Sequence, residues 1–205
     1  MSVILALETS SRWTGVAIAE DGVLLSDETK ETQSSHNEAL AGMVKVVLEK
    51  SGKKMEDTES IAVSIGPGSF TALRIGLLMA KGIALVSGLK IIPVMTLDVL
   101  NASLETQKDD ELRIPVMDAY KGELFAGLYK GRTRLGGPAV IAPLSLGEFA
   151  NEGKTVKVFG PGFARYEAEI TQSLGSRLAT AKDKEVIPSA ASLALLACDM
   201  KDQAC

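Results

Sequence analysis

From residue 69 to residue 86 the chain carries only two charges, Arg74 and Lys81. A helix lying on a protein surface sets an apolar stripe against a polar one. Here the apolar positions run nearly all round, with small residues at Gly76, Ala80, Gly82 and Ala84. A helix over this stretch needs protein on more than one side, and in a small chain another subunit can supply some of it. Residues 60–65 before it read as a strand that enters Gly66-Pro67-Gly68, a turn that hands over to a helix beginning at Ser69. Upstream, residues 4–7 and 14–19 are apolar and β-rich. Residues 23–26 follow the turn signal Glu20-Asp21-Gly22, so the chain opens with three antiparallel strands. Residues 36–50 place Leu40, Met43, Val44 and Val47 on one face of a helix, and Ser51-Gly52-Lys53-Lys54 ends it. A strand at residues 90–94 and a helix at 96–104, capped by Thr96, complete an order of βββαβαβα.

After a polar linker at residues 106–111 the opening pattern returns. Ile114-Pro115-Val116-Met117-Asp118 repeats the character of Ile4-Leu5-Ala6-Leu7-Glu8, and residues 124–129 repeat that of 15–19. Each half has an apolar strand ending in a carboxylate, a polar turn and a small-residue strand, at an offset of about 110 residues. That spacing favours an internal duplication over two unrelated hairpins. The remainder reads as a strand at 156–159, a Gly160-Pro161-Gly162 turn, a helix at 164–174 and a last helix at 189–200. The expectation is an α/β protein of two related βββαβα-type lobes, residues 1–105 and 106–205, the second one reduced. This is the pattern of a degenerate actin-like ATPase (ASKHA) fold, as in sugar kinases and the Hsp70 nucleotide domain. There the hairpin after the first strand of each half faces a nucleotide phosphate.

Composition narrows the partners. The 205 residues are 46 % hydrophobic and 23 % charged, the balance of a globular protein, with net charge −4. That sign argues against a chain that holds nucleic acid by itself, since phosphates need clustered Lys and Arg. Cys198 and Cys205 on one helix would stand two turns apart, roughly 10 Å, beyond the ~7 Å a disulfide spans. Two free thiols, no basic segment at the N-terminus and no apolar run near the ~20 residues of a membrane span point to a cytoplasmic protein without a membrane contact.

Two turns are candidates for phosphate. Glu8-Thr9-Ser10-Ser11 follows the first strand, where backbone amides and hydroxyls can hold an anion or simply close a hairpin. Gly66-Pro67-Gly68-Ser69 precedes a helix whose dipole attracts anions. It is neither a Walker A loop, lacking Gly-Lys-Ser/Thr, nor a dinucleotide fingerprint, with Thr71 in place of a third glycine. By itself it reads first as a tight turn capped by Ser69. His36, the one histidine, has no partner at metal-ligand spacing. Lys130, Arg132 and Arg134 alternate as in a solvated hairpin. No Ser-His-Asp or Cys-His nucleophile set stands out, so no residue is assigned a catalytic role and none a metal.

The stretch Gly66–Gly76 (residues 66–76), Leu5-Ala6-Leu7-Glu8-Thr9-Ser10, His36-Asn37-Glu38-Ala39-Leu40 and Val116-Met117-Asp118-Ala119-Tyr120-Lys121-Gly122-Glu123 together resemble the YeaZ/TsaB family of bacterial proteins. The likeness is specific up to about residue 130 and thinner beyond, where it rests on Val158-Phe159-Gly160-Pro161-Gly162 and Pro188-Ser189-Ala190. Ala72 stands where the family motif has glycine. The resemblance implies a degenerate actin-like fold and a part in making threonylcarbamoyladenosine, next to the anticodon of tRNAs that read codons beginning with A. It implies a non-catalytic subunit that binds and activates TsaD, the catalytic metal-containing paralogue. The small ATPase TsaE and threonylcarbamoyl-AMP from another enzyme complete the implied system. The pair was once called a glycoprotease. The catalytic paralogue carries two histidines spaced by four after the strand that follows the apolar helix. Thr96 and Leu100 occupy those places here, and neither replaces an imidazole on a transition metal.

Three readings follow: a non-catalytic activating subunit, an autonomous small-molecule kinase or ATPase of the same fold, and a peptidase. The second needs a complete nucleotide site, yet the second half looks short and Pro161 interrupts the glycine turn. The third lacks a nucleophile or metal set. On the first reading the chain alone holds no cofactor, ATP or ADP at the complex interface stays open, tRNA is met only through the complex, and the isolated chain forms a homodimer. Glu8, Thr9, Ser10, Gly66, Gly68 and Ser69 are then a vestigial phosphate set. The expected subunit interface comprises Ala39, Gly42 and Val46 with Phe70, Arg74, Leu77 and Leu78.

Overall fold

The structure, a computed structural model, describes residues 2–32, 36–104, 110–150, 155–179 and 186–205. Most of the linker at 106–111 and the side chain of His36 lie outside the described residues.

The opening strands β1 (Val3–Glu8), β2 (Trp13–Glu20) and β3 (Val23–Glu31) form an antiparallel meander. β4 (Ser60–Ser64) and β5 (Lys90–Val94) then add in parallel, giving a five-stranded sheet of order β3-β2-β1-β4-β5. β1 is buried at every residue, which explains why its sequence does not alternate: both faces of the sheet are covered. On one face Leu5 and Leu7 meet Leu40, Met43 and Val47 of α1 (His36–Ser51) and the buried edge of α2 (Phe70–Ser87). On the other, Ile4, Ala6, Ala17 and Ala19 meet Ala190, Leu193, Ala194 and Ala197 of the C-terminal helix. Each large side chain so buried contributes about 1.5–3 kcal/mol.

The second unit repeats the plan. β6 (Leu112–Tyr120) pairs antiparallel with β7 (Glu123–Lys130) and parallel with β9 (Val156–Phe159), and β8 (Thr133–Ile141) extends the edge, for an order of β8-β7-β6-β9. This is the order of the first sheet without its fifth strand. The duplication read from the sequence is therefore present in the topology, and the two-lobe α/β expectation holds. β8 is the strand that the pattern did not announce. It is an exposed edge strand carrying Gly136-Gly137-Pro138, so it has no buried alternating face to betray it.

The lobe boundary differs from the expected 105/106. One unit is Met1–Val99 with Pro188–Cys205, and the other is Leu100–Ile187. The boundary falls inside α3 (Thr96–Ala102), and the last helix belongs to the first unit, not the second. The cause is steric: alanines on β1 and β2 leave room for an alanine-rich helix to approach closely, and Gly15 of β2 abuts Ala190. In the second unit a short helix α4 (Leu146–Phe149) precedes β9. The helix expected at 164–174 is two, α5 (Pro161–Arg165) and α6 (Glu167–Leu174), broken at Tyr166 with φ −120°. The last helix, α7, spans Ala190–Asp199 and is capped by Ser189. Cys198 and Cys205 are free thiols.

Candidate functional site

The carboxyl ends of β1 and β4 meet under the Gly66-Pro67-Gly68 loop. Glu8 closes β1 opposite Gly15 of β2 and is buried. Its Oε1 accepts the Ser10 amide at 2.7 Å, and its Oε2 accepts the Ser64 hydroxyl. The Ser10 carbonyl in turn accepts the Ser69 amide at 2.8 Å. Gly66, at φ +113°, turns its carbonyl to the Thr96 amide at 2.8 Å, a left-handed conformation suited to glycine. Ser69 caps α2 by accepting the Ala72 amide. Thr9 lies behind the turn, its buried hydroxyl without a hydrogen-bond partner and seated against Gly76 of α2. Thus the six residues of the candidate phosphate set converge, but the amides of Ser10 and Ser69 are already engaged within the chain. Burial pushes the Glu8 carboxyl above the usual carboxylate range, and hydrogen bonds from Ser10, Ser64 and the Thr9 amide offset part of that rise.

The second unit holds a counterpart. Asp118 of β6 accepts the Tyr120 amide at 2.8 Å, two residues on, as Glu8 accepts that of Ser10. Gly160, again at φ +113°, brings its loop against β6; a Cβ there would lie 2.6 Å from the Val116 carbonyl oxygen. Where Glu8 meets Ser64, Asp118 meets Arg165 at 2.8 Å and the Tyr166 hydroxyl at 3.2 Å. The sequence placed the two carboxylates in register; it did not foretell that one would be buried among hydroxyls and the other ion-paired.

The expected interface residues sort by exposure. On α1, Gly42 is exposed while Ala39 and Val46 are half-buried. On α2, Phe70 is 66 % exposed and Leu78 69 %, with the Arg74 guanidinium 3.8 Å over the Phe70 ring. Leu77 is half-buried and packs toward the core instead. Leu85 and Val86, 86 % and 88 % exposed, extend the same stripe and were missed. Their signal was spacing from Leu78: Val86 continues the four-residue ladder 70-74-78-82-86, and Leu85 lies two turns on at i+7. With 18 residues, α2 is also long and apolar enough to cross a membrane, contrary to the expectation that no run came close. Its Ala72, Gly76 and Ala80 are nevertheless buried in the first unit, the packing of a helix on a sheet. Among the described residues no three His, Cys, Asp or Glu side chains converge. Thr96 and Leu100 are both fully buried.

Comparison with known proteins bears on these features. Residues 27–193 match the family model described as tRNA N6-adenosine threonylcarbamoyltransferase, TsaD. The tRNA threonylcarbamoyladenosine biosynthesis protein TsaB of Bacillus subtilis is 30 % identical over 132 residues, 64 % of this chain and 57 % of that protein. The chain thus matches little more than half the length of this relative. The solved structure of YeaZ from Pseudomonas aeruginosa superimposes over 100 % of this chain and 95 % of its own at a TM-score of 0.81 and 23 % identity, a likeness of fold. Component A of (R)-2-hydroxyglutaryl-CoA dehydratase from Acidaminococcus fermentans follows at a TM-score of 0.55 and 12 % identity, over 98 % of this chain and 100 % of that one. The two-lobe architecture is that of the actin-like ATPases and sugar kinases.

Proposed function

The chain belongs to the YeaZ/TsaB family, and from that premise we propose that it is a non-catalytic subunit in the biosynthesis of tRNA threonylcarbamoyladenosine. Its task is to bind and activate the catalytic paralogue, TsaD. One observation carries this reading: α2 presents Phe70, Leu78, Leu85 and Val86 to solvent on one stripe. An apolar stripe of this kind marks an association site. The family model of the catalytic transferase matches this chain from before α1 to within α7, so the paralogue has the corresponding helix pair to offer. Two like helix pairs make a nearly self-complementary contact. A second copy of this chain takes the paralogue's place when the paralogue is absent. TsaE joins the assembled complex, and tRNA is held by the complex rather than by this chain. Reconstituting tRNA modification from the purified components, with and without this chain, tests the reading.

Two further outcomes are expected of the isolated chain. It hydrolyses no ATP above background and carries no stoichiometric transition metal. The basis is the pair Thr96 and Leu100, together with the Ser10 and Ser69 amides already bonded inside the chain. Steady turnover of ATP, or one equivalent of zinc or iron in elemental analysis, would favour the kinase reading. The chain alone also binds tRNA weakly, with the net charge of −4 working against phosphate contacts. In a filter assay at about 0.15 M salt, its Kd should be weaker than ~1 μM, outside the range of specific complexes. Sub-micromolar binding would contradict the proposed division of labour.

A further inference from the structure

Glu8 is a buried carboxyl, and among the described residues no cation acts on it. The charged residues on the elements packed around β1 lie elsewhere. Glu20, at the far end of β2, pairs with Lys53 at 2.6 Å. Arg74 and Lys81 of α2 are exposed, as are Lys90 of β5, Lys45 and Glu49 of α1 and Asp199 at the far end of α7. Asp98 of α3 is half-buried. None of these acts on the Glu8 carboxyl, whose partners are Ser10, Ser64 and the Thr9 amide.

The hydrogen bonds run on from there toward α2. Ser10 receives the Ser69 amide and touches Gly68, while Ser64 ends β4 just before Gly66. One carboxyl therefore ties both sides of the Gly66-Pro67-Gly68 loop, and the residue after the Ser69 cap is Phe70. We propose that Glu8 is a positioning residue: bonded to Ser10 and Ser64, it holds this loop and the first turn of α2, and so sets how Phe70 and Arg74 are presented for pairing. The proposal rests on the reading of α2 as the pairing face.

Burial favours the neutral form of this carboxyl over the charged one. Its two oxygens accept the Ser10 amide and the Ser64 hydroxyl, and among the described residues no cation acts on it to offset the burial of a charge. Burial raises the folded-state pKa above the ordinary 4.5. The stabilising contribution is therefore complete below that ordinary value and is lost as pH rises through the raised one. Between the two, one proton lowers the folding constant about tenfold per pH unit.

The test compares the full-length wild-type chain with Glu8→Gln and Glu8→Ala. Glutamine keeps an acceptor for the Ser10 amide and can bond Ser64 by donating to its hydroxyl oxygen, but it does not titrate. As pH rises above about 4.5, wild-type stability in denaturant should fall relative to that of Glu8→Gln at the same pH. Hydrogen exchange at residues 66–74 should quicken at least about tenfold in Glu8→Ala and return to the wild-type rate in Glu8→Gln. Parallel pH profiles of wild type and Glu8→Gln overturn the proposal, and so does unchanged exchange in Glu8→Ala. If Glu8→Ala does not fold, the comparison of wild type with Glu8→Gln decides. Sedimentation with the catalytic paralogue completes the test: Glu8→Ala should pair at least about tenfold more weakly and Glu8→Gln normally. A wild-type chain that does not pair refutes the pairing face, while the exchange data still judge Glu8. A wild-type chain that pairs no better than Glu8→Ala refutes the positioning role.

Discussion

Leu78→Glu is expected to leave the chain folded, to abolish its pairing with the catalytic paralogue and to remove tRNA modification in a reconstituted assay. Leu78 is 69 % exposed in the isolated chain, so a carboxylate there costs the monomer little. In a complex formed through α2 the same carboxylate would be desolvated with no partner, at a cost of about 3 kcal/mol or more. That is a weakening of pairing by a hundredfold or more. Far-UV circular dichroism establishes the fold, and analytical ultracentrifugation reads the pairing. Val46→Glu is the companion on α1; Val46 is half-buried, so its monomer is expected to lose some stability as well. If both variants are folded and pair at wild-type affinity, the face lies elsewhere and the proposed interface is wrong.

Gly68→Ala should be the most damaging single methyl group in the first unit. A Cβ at Gly68 would collide with the Ser10 carbonyl oxygen and reach the Ser10 carbonyl carbon and Cβ at 3.0 Å each. That oxygen accepts the Ser69 amide, so it cannot withdraw without uncapping the loop from α2. The expected loss is about 3 kcal/mol, at the upper end of what overpacking costs. Gly82→Ala is the control. Gly82 lies inside α2 with nothing within 4 Å of a built Cβ. Alanine there should stabilise the monomer by about 0.5–1 kcal/mol through helix propensity. Urea unfolding of the three chains reads both effects. A Gly68→Ala chain as stable as wild type would mean that the loop does not bear on Ser10.

Much of this was legible along the chain. The short apolar, β-rich run of β1 announced a strand, and the lack of a polar side on α2 announced surplus apolar surface; both are local patterns. The repeat of Glu8 in Asp118 announced the duplicated sheet order, since a strand that ends in a carboxylate before a hairpin is a local signature too. The motifs that carried the family resemblance lie at strand ends and helix starts, where local sequence is most constrained.

What the sequence could not decide was what lies beside what across long separations. Nothing near residue 190 says that the last helix returns to β1 and β2; that depends on the small size of Ala6, Ala17 and Ala19, felt only when the faces meet. Nothing near Gly68 says that its missing Cβ is the space taken by Ser10, fifty-eight residues earlier. The face of α2 that points outward was equally hidden, because Leu77 and Leu78 are alike in sequence and only packing buries the first and exposes the second. Glu8 and Asp118 show the same division: each was visible as a carboxylate at a strand end. Whether it stands buried among hydroxyls or paired with a guanidinium was set by Ser64 and Arg165, which only the tertiary fold brings to it.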